Sequence, residues 1–145
     1  MKAIPFSQHF IKCTIFLLIV LWVYTAGSKL LAFKEFVSAM HNQVFSEWLS
    51  GLLIYLIPAS EIFVGLLLIL KPNKLTGLWL SLFLLSSFTI YIWLILSGFY
   101  DRIPCGCGGV LKWLSWSEHL FFNLFFLCIS SVSIFFIIKE RRAKA

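Results

Sequence analysis

The chain has 145 residues, of which 61% are hydrophobic and 12% charged, against about 25% charged in an ordinary soluble domain. Its 16 Phe and 6 Trp and its mean hydropathy of +0.96 exceed what one aqueous core of this length can hide, which excludes a soluble globular fold and leaves a single membrane domain over residues 1–145. The net charge of +6 does not point to nucleic acid, because the Lys and Arg residues lie between and beyond apolar runs instead of striping one polar face.

The first apolar run, Cys13 to Phe33, follows Lys2 and Lys12 and ends near the small residues Thr25-Ala26-Gly27, as a signal peptide would. Its 21 residues are nevertheless enough to cross a hydrocarbon core that needs about 20. A retained helix is the expectation. Leu49 to Leu70 is the second span, Leu75 to about Leu96 the third and His119 to Ile138 the fourth. Helices follow because lipid offers no partner to backbone N–H and C=O groups, and because these runs are about twice the length of a barrel strand. The predicted fold is all-α, a four-helix transmembrane bundle.

Pro72-Asn73 punctuates the turn between spans two and three. Ser115-Trp116-Ser117-Glu118 has the spacing of a capping box at the start of the last helix, which gives Glu118 a structural role. Trp48, Trp113 and Trp116 fall where an aromatic belt would sit. Eight Lys/Arg flank one face (Lys2, Lys12, Lys71, Lys74, Lys139, Arg141, Arg142, Lys144) and four the other (Lys29, Lys34, Arg102, Lys112). The positive-inside rule then places both termini in the cytoplasm and the loop 101–117 outside.

That loop holds Pro104-Cys105-Gly106-Cys107-Gly108-Gly109. Three glycines let the backbone bend enough to bring two thiols together, and a disulfide between residues so close in sequence closes a small, readily reduced ring. Redox exchange is the leading interpretation, with a static clip and soft-metal binding as alternatives. Cys13 and Cys128 are expected to be small buried hydrophobes. Glu61 is the one acid inside a span and needs a partner or a proton there. Pro58, three residues earlier, frees a helical carbonyl and turns this stretch into a polar notch. Lys29 can snorkel outward or point at the notch, and Ser28, Thr89, Tyr91 and Asn123 can hydrogen-bond across the bundle or simply fix its packing. His119, near the loop in sequence, can act as a base for the thiols or sit as an interfacial residue.

Ala26-Gly27-Ser28-Lys29-Leu30, Pro58-Ala59-Ser60-Glu61-Ile62 with Gly65, Phe88-Thr89-x-Tyr91, and Cys105-Gly106-Cys107-Gly108-Gly109 followed by Trp116 and Asn123 resemble the MauE/DoxX group of redox-associated membrane proteins. The resemblance covers nearly the whole chain, and its most specific element is the C-x-C-x-G motif between spans three and four. One departure is Gly108, which stands where the group's commoner form has Phe. MauE is linked to maturation of methylamine dehydrogenase, whose small subunit carries many disulfides. The resemblance therefore implies thiol–disulfide work on an exported or periplasmic partner, from a bacterial inner membrane, with Cys105 and Cys107 as the exchanging pair. A quinone near Lys29, Glu61 and Tyr91 is an outlet for the electrons by analogy with other four-helix thiol oxidases. No metal site is assigned, and besides that partner only membrane lipid is expected to contact the chain. The competing expectations are a non-enzymatic scaffold subunit with a structural Cys pair and a small metal or solute carrier.

Sidedness can be checked on a chain whose loop cysteines are replaced by Ser. Probes at Ala3→Cys and Ala143→Cys should escape a membrane-impermeant maleimide in intact cells and react after permeabilisation. Labelling of either probe in intact cells overturns the orientation.

Overall fold

The computed structural model describes residues 5–70, 74–100 and 115–143. Four helices in it are long and apolar enough to cross a membrane: α1 (Pro5–Leu31), α3 (Glu47–Leu70), α4 (Lys74–Leu96) and α5 (Trp116–Arg142). A short helix, α2 (Phe33–His41), lies between the first two, and all regular structure among the described residues is helical. Each predicted span corresponds to one long helix. The loop pair Cys105 and Cys107, with most of the segment 101–117, lies outside the described residues.

The limits of α1 and α5 differ from expectation, and one helix is added. Helix α1 begins at Pro5, well before Cys13, and its backbone breaks at Ala32 (φ −107°, ψ 44°). Proline is at home in a first helical turn, where its missing N–H is no loss. The helix α2 that follows was not anticipated. Its Phe33, Phe36, Val37 and Met40 recur at the spacing of a single helical face, and Phe36 and Met40 are buried against Ile54 of α3. Helix α5 starts at Trp116, before His119, and continues to Arg142, taking Lys139, Arg141 and Arg142 into its last turn. Cations there complement the negative end of the helix dipole. The anticipated capping box is formed: the Glu118 N–H donates to Ser115 Oγ at 3.3 Å, and the Ser115 N–H donates to Glu118 Oε2 at 2.7 Å.

Around the bundle the long helices run in the cyclic order α1, α3, α4, α5, with the broadest seams between α1 and α3 and between α4 and α5. Leu18, Trp22, Leu68, Leu78 and Leu85 fill the centre, while Phe16, Phe63, Phe83, Trp93 and Phe135 project from the perimeter. A hydrocarbon solvent accepts such a perimeter without penalty, so association rests on close packing and polar contacts instead of on hiding apolar area. Small residues allow the close approach: Ser81, Ser130 and Ser133 are fully buried, and Trp22 Nε1 donates to Ser81 Oγ at 2.9 Å across the interior. At the end that holds the termini, Ser7 Oγ donates to Glu140 Oε1 at 2.6 Å and the rings of Phe10 and Phe136 meet edge to face at 5.9 Å. Cys13 and Cys128 depart from the expectation of burial. Both are exposed on the outer surface of the bundle, where a weakly polar thiol is compatible with lipid.

Gly77 packs α4 tightly against Leu68 of α3. A Cβ at this position would stand 2.6 Å from Leu68 Cδ2 and 3.1 Å from its Cγ, and Leu68 is itself fully buried. Gly77→Ala should therefore lower thermal stability in detergent by an amount typical of overpacking, about 1–3 kcal/mol. Gly51→Ala, whose Cβ would meet nothing within 4 Å, should not. Equal melting behaviour of the two variants would refute the tight contact.

Candidate functional site

The last turn of α1 carries Lys29, and Glu61 sits on α3 about 21 Å along the helix from Glu47 at 1.5 Å per residue, close to mid-membrane. Pro58, buried one turn before Glu61, cannot donate to the carbonyl one turn earlier and so loosens the helix where the acid sits. The α1–α3 seam brings the two charges together. Lys29 Nζ donates to Glu61 Oε1 at 2.8 Å, to Oε2 at 3.1 Å and to the carbonyl of Thr25 at 3.4 Å. The Lys29 side chain is 16% exposed and that of Glu61 2%. The ammonium also stands 6.0 Å from the centre of the Phe36 ring of α2, the outer limit of a cation–π contact. Of the two orientations open to Lys29, the one pointing at the notch is adopted.

This pair borders a cavity of about 660 Å³ to which every helix contributes. Lys29, Glu61, Tyr91, His119 and Asn123, the five polar candidates of the sequence, all line it. Their roles differ. The Tyr91 hydroxyl donates to Gln43 Oε1 at 2.6 Å, and its ring stacks on Phe45 at 4.9 Å and meets Trp116 edge-on at 6.5 Å. Tyr91 thus ties α4 to the α2–α3 connection, since Gln43 in turn donates to the Ala39 carbonyl at 3.1 Å. His119 is half-buried one helical turn past Ser115. Asn123, one turn further along α5, is 4% exposed, and its Nδ2 has no hydrogen-bond partner. Two other polar candidates do not reach across the bundle: the Ser28 hydroxyl donates to the Thr25 carbonyl and the Thr89 hydroxyl to the Leu85 carbonyl, each within its own helix. Hydroxyls in helices commonly return to a nearby carbonyl in this way.

Sequence reasoning missed Gln43 and the Trp22–Ser81 contact. Gln43 lies in a short connection without periodicity, and nothing in its neighbourhood marks it as 1% exposed. The polar face of α1, with Thr14, Trp22 and Thr25 buried, was available as a helical-spacing signal. Among the described residues no group of three His, Cys, Asp or Glu side chains is placed to hold a metal ion. Tyr100 and His119, which bracket Cys105 and Cys107 in sequence, both line the cavity.

The ion pair should behave as a unit. Lys29→Met alone leaves a buried carboxylate unmatched, a change that typically costs about 3–5 kcal/mol, whereas replacing both charges is close to neutral. Lys29→Met should accordingly lower the yield of folded protein, and Lys29→Met combined with Glu61→Leu should restore it. A double variant no more stable than the single one would show that the two groups are not coupled.

Comparison with known proteins adds one match. A family model described as Methylamine utilisation protein MauE covers residues 7–136, which takes in α3 and α4 whole, most of α1 and α5, the buried ion pair and the Cys105-x-Cys107 segment. No curated protein and no solved structure matches the chain. By the extent of the family match, this four-span membrane chain belongs to the MauE family.

Proposed function

We propose that this MauE family protein resides in a bacterial inner membrane and forms or isomerises disulfides in an exported partner, with Cys105 and Cys107 as the exchanging pair on the outward side. The observation that carries the proposal is the placement of the residues bracketing the pair. Tyr100 before it and His119 after it line a cavity containing a buried ion pair, in a chain of a family whose description concerns methylamine utilisation. The partner class that fits is an exported protein with several cysteines, of which the small subunit of methylamine dehydrogenase is the family's example.

The exchange is a two-step substitution at sulfur. A partner thiolate attacks one sulfur of the Cys105–Cys107 disulfide, the S–S bond breaks, and a mixed disulfide forms while the other loop sulfur leaves as a thiolate. A second partner thiolate then attacks the partner's sulfur in that mixed disulfide and displaces the remaining loop sulfur. The partner is oxidised to a disulfide and the loop pair reduced to a dithiol, a transfer of two electrons and two protons. Another round requires an acceptor for both.

Either Cys105→Ser or Cys107→Ser should abolish turnover in a partner-maturation assay, because each substitution step needs its own sulfur. One of the two should accumulate a reducible covalent adduct with the partner, visible on a gel. Cys128→Ala, on the outer surface of α5, should change little. Stable, fully active protein with both loop cysteines replaced would sink the exchange reaction and favour a partner-placing scaffold.

A further inference from the structure

The cavity is elongated along the helices. On α3 its wall runs from Leu49 to Glu61, about 18 Å at the helical rise, and on α4 from Phe83 to Leu94, about 17 Å. Beyond its deep end the two helices close on each other where Gly77 meets Leu68. At the other end the α2–α3 connection bridges them, through Gln43 and Phe45 on Tyr91. Between these limits the cavity reaches the perimeter, since Leu56, 52% exposed, and Phe83, 67% exposed, both line it, with exposed Ser87 and Ile90 beside them. Leu56 lies about 14 Å from one end of α3 and 21 Å from the other, and Phe83 about 14 Å and 20 Å from the ends of α4. The opening therefore falls within the apolar stretch of two membrane-spanning helices, and faces lipid.

The wall suits hydrocarbon. Lys29 and Glu61 match one another at 2.8 Å, the Tyr91 hydroxyl is engaged with Gln43, and the rest of the lining is mostly Leu, Ile, Phe and Met. Apolar cavities stay dry, and an empty one forfeits packing in proportion to its volume, here about 660 Å³. A bilayer has a filler of the right chemistry at the opening. A chain lying along the helices would occupy the whole length, whereas a compact ligand would leave much of it void.

We propose that the cavity is a lipid site, which takes one acyl chain of a bilayer phospholipid through the α3–α4 opening and lays it along the helices, with the head group at the end where α3 begins. The chain keeps water from the Lys29–Glu61 pair, whose attraction is strongest in a medium of low dielectric constant. This site uses neither Cys105 nor Cys107 and stands or falls separately from thiol exchange.

The test uses the full chain in nanodiscs of phosphatidylcholine brominated on its acyl chains, because bromine quenches indole emission only at short range. Trp22, which is buried and lines the cavity, is the reporter, and the other Trp residues are replaced by Phe. Its emission should fall, relative to unbrominated nanodiscs, nearly as far as that of a chain keeping only Trp93, which is exposed on the perimeter. Adding Ser87→Phe at the opening should restore Trp22 emission and leave the quenching of Trp93 as it was. Trp22 emission untouched by bromine, the result if water or a partner's helix fills the cavity, overturns the site, and so does quenching that Ser87→Phe leaves unchanged. The unsubstituted chain supplies a second measurement should the Trp-depleted chain fail to fold. A phospholipid carrying a diazirine on one acyl chain, photolysed in nanodiscs, should mark Leu21 and Leu84 of the cavity wall as well as perimeter residues such as Phe63 and Phe135. Marks confined to the perimeter overturn the proposal.

Discussion

A buried ion pair in a low-dielectric surrounding sets the terms for this bundle. Lys29 and Glu61 stand 2.8 Å apart, each on a helix long and apolar enough to span a membrane, and neither helix could readily carry its own charge there alone. The attraction fixes the register of α1 against α3, and the broad seam between these helices follows. Once that register is fixed, Trp22 reaches Ser81 on α4, and the space left above the pair becomes the cavity. Helix α2 completes the arrangement by laying Phe36 near the ammonium and Met40 under the connection to α3.

The two ends of the cavity are built by different physics. At its deep end the groups are charged and satisfied by each other. Towards α5 the groups are neutral: Tyr91 is engaged with Gln43, and Asn123 has an amide left over.

The long helices and the capping box were legible because hydropathy and capping are local properties of sequence. The depth of Glu61 was legible for the same reason, and it demanded a partner or a proton on energetic grounds; pointing at its notch was one of two orientations open to Lys29. What could not be read was which option wins, because that depends on the rotation of α1 against α3. Helix α2 was readable in principle from Phe33, Phe36, Val37 and Met40, but its nine residues fall below the length that a membrane-span criterion detects. The convergence of Tyr91, His119 and Asn123 on one cavity is a tertiary fact, and the sequence contains only their spacing. The surface position of Cys13 and Cys128 inverts the usual rule for cysteine, because in a bilayer the exterior of the protein is also an apolar place.

The contact between Ser7 and Glu140 joins residues 133 positions apart. It therefore cannot form until nearly the entire chain has left the ribosome. Until then the first helix sits in the bilayer with Ser7, Thr14 and Trp22, all buried in the finished protein, still facing lipid or water. The pairing of Lys29 with Glu61 becomes available only 32 residues after the lysine is made, when α3 arrives. Biogenesis of this protein is thus a sequence of delayed closures, in which the polar groups of the earliest helix wait for the latest ones.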